Sequence, residues 1–200
     1  MHVLPLHGRL YCQPASQVWP QAPDKPQLSP HRHRKINYGS KEQLVAEEDT
    51  IPKINNEGIT RVQAIVGALF HYAWAVHNII LVGLSNIGDQ QNLATKQTTA
   101  DIDQIIDHVA TYPNDGITYR ASDMILEAHS NAGFNNEAKS RSRSGAHILL
   151  SENDPTPEWD EAILTIAQIV KFVMSSAAEA ELGLLYIIAK EMVPIRQTLI

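Results

Sequence analysis

The distribution of proline divides this chain more sharply than any other sequence feature. Seven of the eleven prolines lie within residues 1–56, at positions 5, 14, 20, 23, 26, 30 and 52. Proline fixes φ and has no backbone N–H, so this spacing excludes helices and central strands. The apolar residues there show no period. We therefore expect residues 1–56 to form a disordered tail, with a basic cluster at residues 31–35.

Charge and cysteine content restrict the classes of function. The net charge is −6; residues 1–40 carry +4 and the remainder −10. Nucleic-acid binders usually carry a basic surplus, so residues 41–200 are poorly suited to that role. The single cysteine, Cys12, excludes an internal disulfide and fits a reducing, intracellular compartment. Without a signal-peptide pattern, we expect a protein that is neither secreted nor in a membrane, its most apolar stretch forming a buried helix.

Residues 57–113 show helical periodicity. Thr60 and Gln63 form a possible capping box, and the stripe that follows recurs at helical spacing: Val62, Ile65, Val66, Leu69, Ala73, Val76 and Ile80. A second helix is predicted from near Thr98, and Pro113 with the following Asn-Asp-Gly turn ends it.

After residue 113 the pattern becomes strand-like. We predict strands at residues 124–128, 145–151 and 163–170, with loops at 135–144 and 152–161. Ser176 and Glu179 form a capping box that opens a long helix. The predicted order is two helices, three strands and one helix. This is an α+β fold whose strands form an antiparallel meander.

Glu181 is the most unusual residue of the last predicted helix. It lies in line with Leu185, Ile188 and Met192 on an apolar stripe. A carboxylate there is costly unless a metal ion, a cation or a hydrogen-bond donor pairs with it. The alternative is that the edge of the stripe is simply hydrated.

Several segments resemble copia-type retrotransposon polyproteins. Residues 175–182 (Ser-Ser-Ala-Ala-Glu-Ala-Glu-Leu) resemble the helix-start motif of their ribonuclease H domain. Residues 129–134 (His-Ser-Asn-Ala-Gly-Phe) are similar to its Ser-Asp-Ala-Ser-like strand. Residues 61–69 resemble the helix after the polymerase palm, and residues 110–113 the end of the next helix. The resemblance covers residues 30–200 and implies a reverse-transcriptase connection at 57–113 and a truncated ribonuclease H-like domain at 114–200.

The resemblance also implies site residues and a cofactor. Ribonuclease H uses carboxylates around two magnesium ions to cleave the RNA of RNA–DNA hybrids. The helix acid falls at Glu181, and the first-strand acid falls at Asn131, which is neutral. The next family acid belongs to a fourth strand beyond the helix. The paired aspartates of the polymerase have no counterpart, because the chain contains no Asp-Asp dipeptide.

Three functional hypotheses follow. The first is a catalytically inactive retroelement fragment that binds no magnesium productively, Glu181 being its one carried-over metal ligand. The second is a ribonuclease H completed by a strand from another chain. The third is a non-catalytic hybrid-binding module, to which Arg141 and Arg143 could contribute phosphate contacts, although a solvated loop is the alternative reading of those arginines. Asn131 favours the first hypothesis, and the acidic balance of residues 41–200 disfavours the third.

Overall fold

The computed structural model describes residues 23–33, 51–154 and 160–199. It is a mixed fold of helices and a three-stranded antiparallel sheet. The helices are α1 (Asn56–Ala75), α2 (Leu81–Gln90), α3 (Lys96–Thr111) and α4 (Ala177–Thr198), and the strands are β1 (Ile125–Glu137), β2 (Arg141–Ser151) and β3 (Leu164–Ile169). Three α-helices therefore precede the sheet, whereas the sequence predicted two.

The additional helix arises because the first predicted helix breaks. Helix α1 ends at Ala75, and His77 leaves helical geometry with φ −139° and ψ 71°. A short 3₁₀ turn, Asn78–Ile80, then leads into α2. No proline or glycine marks the break. Tertiary contacts of His77 compensate for the break. Its ring stacks on Tyr72, with ring centroids 6.1 Å apart, and contacts the ring of His108, with centroids 5.5 Å apart.

Two helix starts differ from the predicted caps. Asn55, not Thr60, caps α1, and its side chain accepts a hydrogen bond from the Gly58 N–H at 2.9 Å. Thr95 caps α3 and forms a capping box with Thr98. Asn and Thr are both good N-cap residues, and the two helices begin five and three residues earlier than predicted. Helix α3 ends just before Pro113, as predicted.

The three helices enclose the larger of the two cores. Its buried side chains come from every helix and from the turns between them: Val62, Val66, Leu69, Tyr72, Ala73, Ile80, Leu81, Leu84, Ile87, Ala94, Ile102, Ile105, Ile106 and Val109. The stripe predicted for the first helix supplies five of them: Val62, Val66, Leu69, Ala73 and Ile80. The helical periodicity therefore identified part of this core from sequence.

The sheet confirms the predicted meander but corrects its first connection. The order is β1-β2-β3, with both pairs antiparallel. Residues 135–144, predicted as a loop, instead complete β1, turn at 138–140 and begin β2. Lys139 and Ser140 turn the chain with positive φ values, and the backbone N–H of Arg143 donates to Asn136 Oδ1 at 3.1 Å. The polar side chains thus bond within the hairpin.

A bulge between Gly133 and Glu137 interrupts the β1–β2 register. A Cβ atom at Gly133 would lie 1.9 Å from Asn136 Nδ2, so any larger residue there would require the Asn136 side chain to move. The predicted first strand also begins one residue late, at Ile125, because Met124 has φ 59°. Both features are backbone conformations that alternating hydrophobicity does not reveal.

Each face of the sheet packs on a different helical layer. Ala146 and Ile148 of β2, with Leu164 and Ile166 of β3, form a second core with Leu184 and Ile188 of α4. On the opposite face, Ala167 of β3 packs against the three-helix core. Alternation along β2 and β3 therefore places α4 on one side and the helices of the N-terminal half on the other.

Part of the expected disordered tail is ordered. Within residues 23–33, the N–H of Gln27 donates to Thr111 Oγ1 at 3.0 Å, and Gln104 Nε2 donates to the Ser29 carbonyl at 3.0 Å. Arg32 pairs with Asp101 at 2.6 Å. These contacts lie along α3, so the prediction of disorder is wrong for residues 23–33. Residues 1–22 and 34–50, which belong to the same predicted tail, lie outside the described residues. Within the described ranges, no helix has the length and apolarity needed to cross a membrane.

The buried histidine at the helix break predicts a pH-dependent stability. Burial, and secondarily the neighbouring His108, lower the pKa of His77, while Asp115 raises it. Because the unfolded chain then binds the proton more readily, the free energy of unfolding should fall as pH drops below about 6.5, the ordinary histidine value. Urea denaturation at pH 7.5, 6.5 and 5.5 measures this.

The matched comparison is His77→Gln against His71→Gln, since His71 is exposed on α1. The His77→Gln protein should lose part of the decline between pH 6.5 and 5.5, and the His71→Gln protein should keep it. If the free energy of unfolding declines equally in the two variants between pH 6.5 and 5.5, protonation of His77 does not contribute to the decline.

Candidate functional site

Helix α4 begins with a dense group of hydrogen bonds. Ser176 caps the helix by accepting from the Glu179 N–H at 3.1 Å, as predicted. The Glu179 carboxylate accepts from the Ser175 N–H at 2.6 Å and from the Ser175 hydroxyl. These two donors lower the pKa of the Glu179 carboxyl below its ordinary value. The start of the helix, and with it the position of Glu181, is thereby fixed.

The buried stripe of α4 differs from the predicted one. Ala180, Leu184 and Ile188 are buried, whereas Leu185 is 56% exposed. The prediction that Leu185 shares the buried face is therefore wrong, because the stripe follows an i, i+4, i+8 row that begins at Ala180. Glu181 lies beside this row and is half-buried.

Glu181 is paired with a backbone donor of the sheet. Its Oε1 accepts a hydrogen bond from the Ala132 N–H at 3.1 Å. Strand β1 has β2 on one side only, and the Ala132 N–H points to its outer edge. Among the partners considered from sequence, a hydrogen-bond donor is the one observed.

The two positions carried over from the resemblance meet at this point of β1. Asn131 immediately precedes Ala132 and is directly opposite Gly145 of β2. Ala132 packs on the core under α4. Because side chains alternate along a strand, the exposed Asn131 side chain projects from the opposite face of the sheet. The two positions, 50 residues apart in sequence, are thus close in the backbone, but the Asn131 side chain and Glu181 lie on opposite faces of the sheet.

The donor set at this edge does not fit a two-magnesium centre. Glu181 supplies one carboxylate, which is engaged by a backbone N–H. Asn131 supplies only a neutral amide, which lies on the other face of the sheet, and magnesium prefers carboxylate oxygens that offset its charge. Across the part of the chain that the structure describes, no three His, Cys, Asp or Glu side chains converge on a common point.

Arg141 and Arg143 lie against α2 rather than in a solvated loop. Both Arg141 guanidinium ends bond to the Asp89 carboxylate, at 2.7 and 2.6 Å. Arg143 pairs with Glu137 and also donates to Asn86 Oδ1. The loop reading of these residues is wrong. Phosphate contact by them stays a prediction, and it would require that these pairs break.

The Arg141–Asp89 pair is the main electrostatic link between the helices and the hairpin. Arg141 hydrogen bonds lower the pKa of the Asp89 carboxyl, and the same bonds raise the pKa of Arg141. Bidentate geometry makes such a pair directional as well as attractive. It therefore orients the start of β2 on the end of α2.

A second polar cluster lies on the sheet face opposite α4. His129 of β1 and His147 of β2 are directly opposite in register and line a cleft with Asp160 and Glu161. No pattern in the sequence marks these two histidines. They are 18 residues apart in sequence, and only the hairpin register shows that they are neighbours. That register depends on the bulge and the turn described above.

Comparison with family models, curated proteins and solved structures found no match to this chain.

The Glu181 contact predicts local protection of one amide. In the native protein the Ala132 N–H should exchange slowly despite its position on an edge strand. Glu181→Ala should accelerate its exchange and lower the free energy of unfolding by about 1–2 kcal/mol, since a charged acceptor is lost. Hydrogen exchange followed by NMR at pH 7 measures the first effect and urea denaturation the second.

Glu181→Gln is the matched control, because its amide oxygen can still accept from Ala132. It should retain most of the protection. Unchanged Ala132 exchange in Glu181→Ala would show that the contact contributes nothing in solution.

Proposed function

We propose that this chain is a fragment of a copia-type retrotransposon reverse transcriptase–ribonuclease H polyprotein, and that it is catalytically inactive. The observation that carries the proposal is the hydrogen bond between Glu181 and the Ala132 N–H. It places the helix acid of the resemblance next to the backbone of β1, one residue after the strand position of the family aspartate, while the Asn131 side chain lies on the other face of the sheet. The separation of Glu181 and β1 in the sequence does not by itself require that they be close in space.

The topology supports the same proposal. The described sheet is an antiparallel β1-β2-β3 meander with α4 packed on one face. A ribonuclease H-like start, with three strands followed by a helix, has this order. The three helices before the sheet would then be the connection segment of the polymerase.

The proposed inactivity rests on the chemistry of the acid positions. With Asn131 neutral, Glu181 is the one carboxylate at the two positions that the resemblance carries over. Two-metal hydrolysis requires both ions to be held about 4 Å apart by several anionic ligands. One carboxylate cannot hold two ions in place. Misplacement of reacting groups by about 1 Å already costs roughly 100-fold in rate.

A non-catalytic hybrid-binding role is the weaker alternative. The arginines nearest the hairpin turn are already neutralised, Arg141 by Asp89 and Arg143 by Glu137. Phosphate binding gains its free energy from released counterions, so a paired arginine contributes less than a free one. We therefore expect no salt-dependent binding of an RNA–DNA hybrid in fluorescence anisotropy.

The decisive test is a magnesium-dependent hybrid-cleavage assay on four proteins. These are the native chain, Asn131→Asp, the chain with a C-terminal extension that supplies a fourth strand carrying an aspartate, and both changes together. Only the last should cut the RNA strand, because it alone combines three carboxylates, and cutting requires the side chain at position 131 to move to the face of Glu181. Glu181→Gln added to that protein is the matched control and should abolish the activity.

Two results would contradict the proposal in different ways. Cleavage by the native chain, abolished by Glu181→Gln, would establish an active ribonuclease H and overturn the inactivity. Absence of cleavage by a folded protein carrying both changes would argue against assigning Asn131 and Glu181 to the family positions.

A further inference from the structure

We propose that His129 and His147 form a binding site for a first-row transition-metal ion such as Zn²⁺, on the sheet face opposite α4. The two histidines are paired directly across β1 and β2. Directly opposite residues of an antiparallel pair lie on the same face, with Cβ atoms about 4.5–5.5 Å apart. Two imidazoles at this separation can bind one ion, and the site is independent of the proposed ribonuclease H ancestry.

His147 is held by a residue of the third strand. Its Nδ1 lies 3.1 Å from Thr165 Oγ1, and Thr165 is directly opposite it in the β2–β3 register. With the proton on Nδ1, His147 donates to Thr165 and leaves the Nε2 lone pair for a metal. Metal-binding histidines commonly use their second nitrogen in this way, which fixes the tautomer and the ring orientation.

The Thr165 hydroxyl is itself fixed from the helical side. Asn78 Nδ2 donates to Thr165 Oγ1 at 3.3 Å. The hydroxyl oxygen has two lone pairs and can accept from both Asn78 and His147. Asn78, which lies at the helix break, thus contacts the sheet and helps to fix the orientation of the His147 imidazole. A surface histidine without a function would not need this supporting contact.

The surroundings of the pair are negatively charged. Glu127 is two residues before His129 on the same strand face, and its Oε2 lies 3.8 Å from His129 Nε2. Asp160 and Glu161 line the same cleft. Burial, followed by these two carboxylates, raises the pKa of the nearby Tyr119. A cation is therefore favoured at this face.

The donor types select the metal class. Imidazole nitrogen suits Zn²⁺, Ni²⁺ and Cu²⁺, whereas Mg²⁺ and Ca²⁺ prefer all-oxygen sites. No third ligand is already in place among the described residues, so the third and fourth positions are filled by rotation of the Glu127 carboxylate and by water. Such an open site is a binding site of moderate affinity, not a structural zinc that folding requires.

The buried pair His77–His108 is a poorer alternative. Its two Nε2 atoms have no partner within the described structure, but both side chains are almost fully buried. The Nδ1 atom of His108 already bonds to the Gln27 carbonyl at 2.9 Å. An ion there would lack access from solvent.

The test is zinc titration of the tag-free full chain by isothermal calorimetry. His129→Gln and His147→Gln should each weaken the cleft site at least 10-fold, and Thr165→Val should weaken it by about 10-fold, the size of a supporting-residue effect. His71→Gln, which removes an exposed histidine of α1, is the matched control and should leave the affinity unchanged. Circular dichroism and thermal unfolding without zinc establish that each variant is folded.

A second measurement does not depend on the variants. Long-range ¹H–¹⁵N spectra of the native chain should show zinc-dependent shifts of the His129 and His147 ring nitrogens at the lowest zinc additions. Equal zinc affinity in the native chain and His147→Gln, or first shifts confined to other histidines, would overturn the proposal. Calorimetry without detectable zinc binding would overturn it as well.

Discussion

Strand β2 is covered on both faces over most of its length, His147 excepted, and the arrangement of the helices around it follows from that constraint. Ala146 and Ile148 face α4, while Arg141 and Arg143 on the other face contact Asp89 and Asn86 of α2. A strand with one apolar and one charged face normally leaves the charged face in water. Here the charged face meets a helix end that carries the complementary groups, so the hairpin and the helical bundle form one packed body.

Local patterns in the sequence were sufficient to identify most of the elements. The 3.6-residue period located α1 and α3, Pro113 located the end of α3, and Ser176 located the start of α4. What the sequence did not reveal depends on tertiary contacts. The break at His77 is compensated by ring contacts with Tyr72 and His108. The extent of the hairpin depends on positive-φ residues and on side chains that bond back to it. Neither the ring contacts nor the hairpin backbone produces a hydrophobic periodicity in the sequence.

The candidate sites show the same division. Glu181 was noticeable because a carboxylate on an apolar stripe needs a partner, and the structure supplies one in the Ala132 N–H. Its alignment with Leu185 was wrong by a small rotation of the helix, since the true buried row begins at Ala180. Arg141 and Arg143 belonged to a segment read as a loop, so their partners on α2 could not be anticipated. His129 and His147 become neighbours only through the register of the hairpin.

The outer edge of β1 has a further consequence for how the protein behaves at high concentration. An uncovered strand edge is a template on which another extended chain can add, and that is a route to aggregation. Glu181 occupies one of the outward donors of this edge and places a negative charge across it. A strand arriving from a second molecule would have to displace the carboxylate and leave it beside a new backbone without solvent. Glu181 is therefore a charged group that an added strand would have to displace, and it disfavours self-association along this edge.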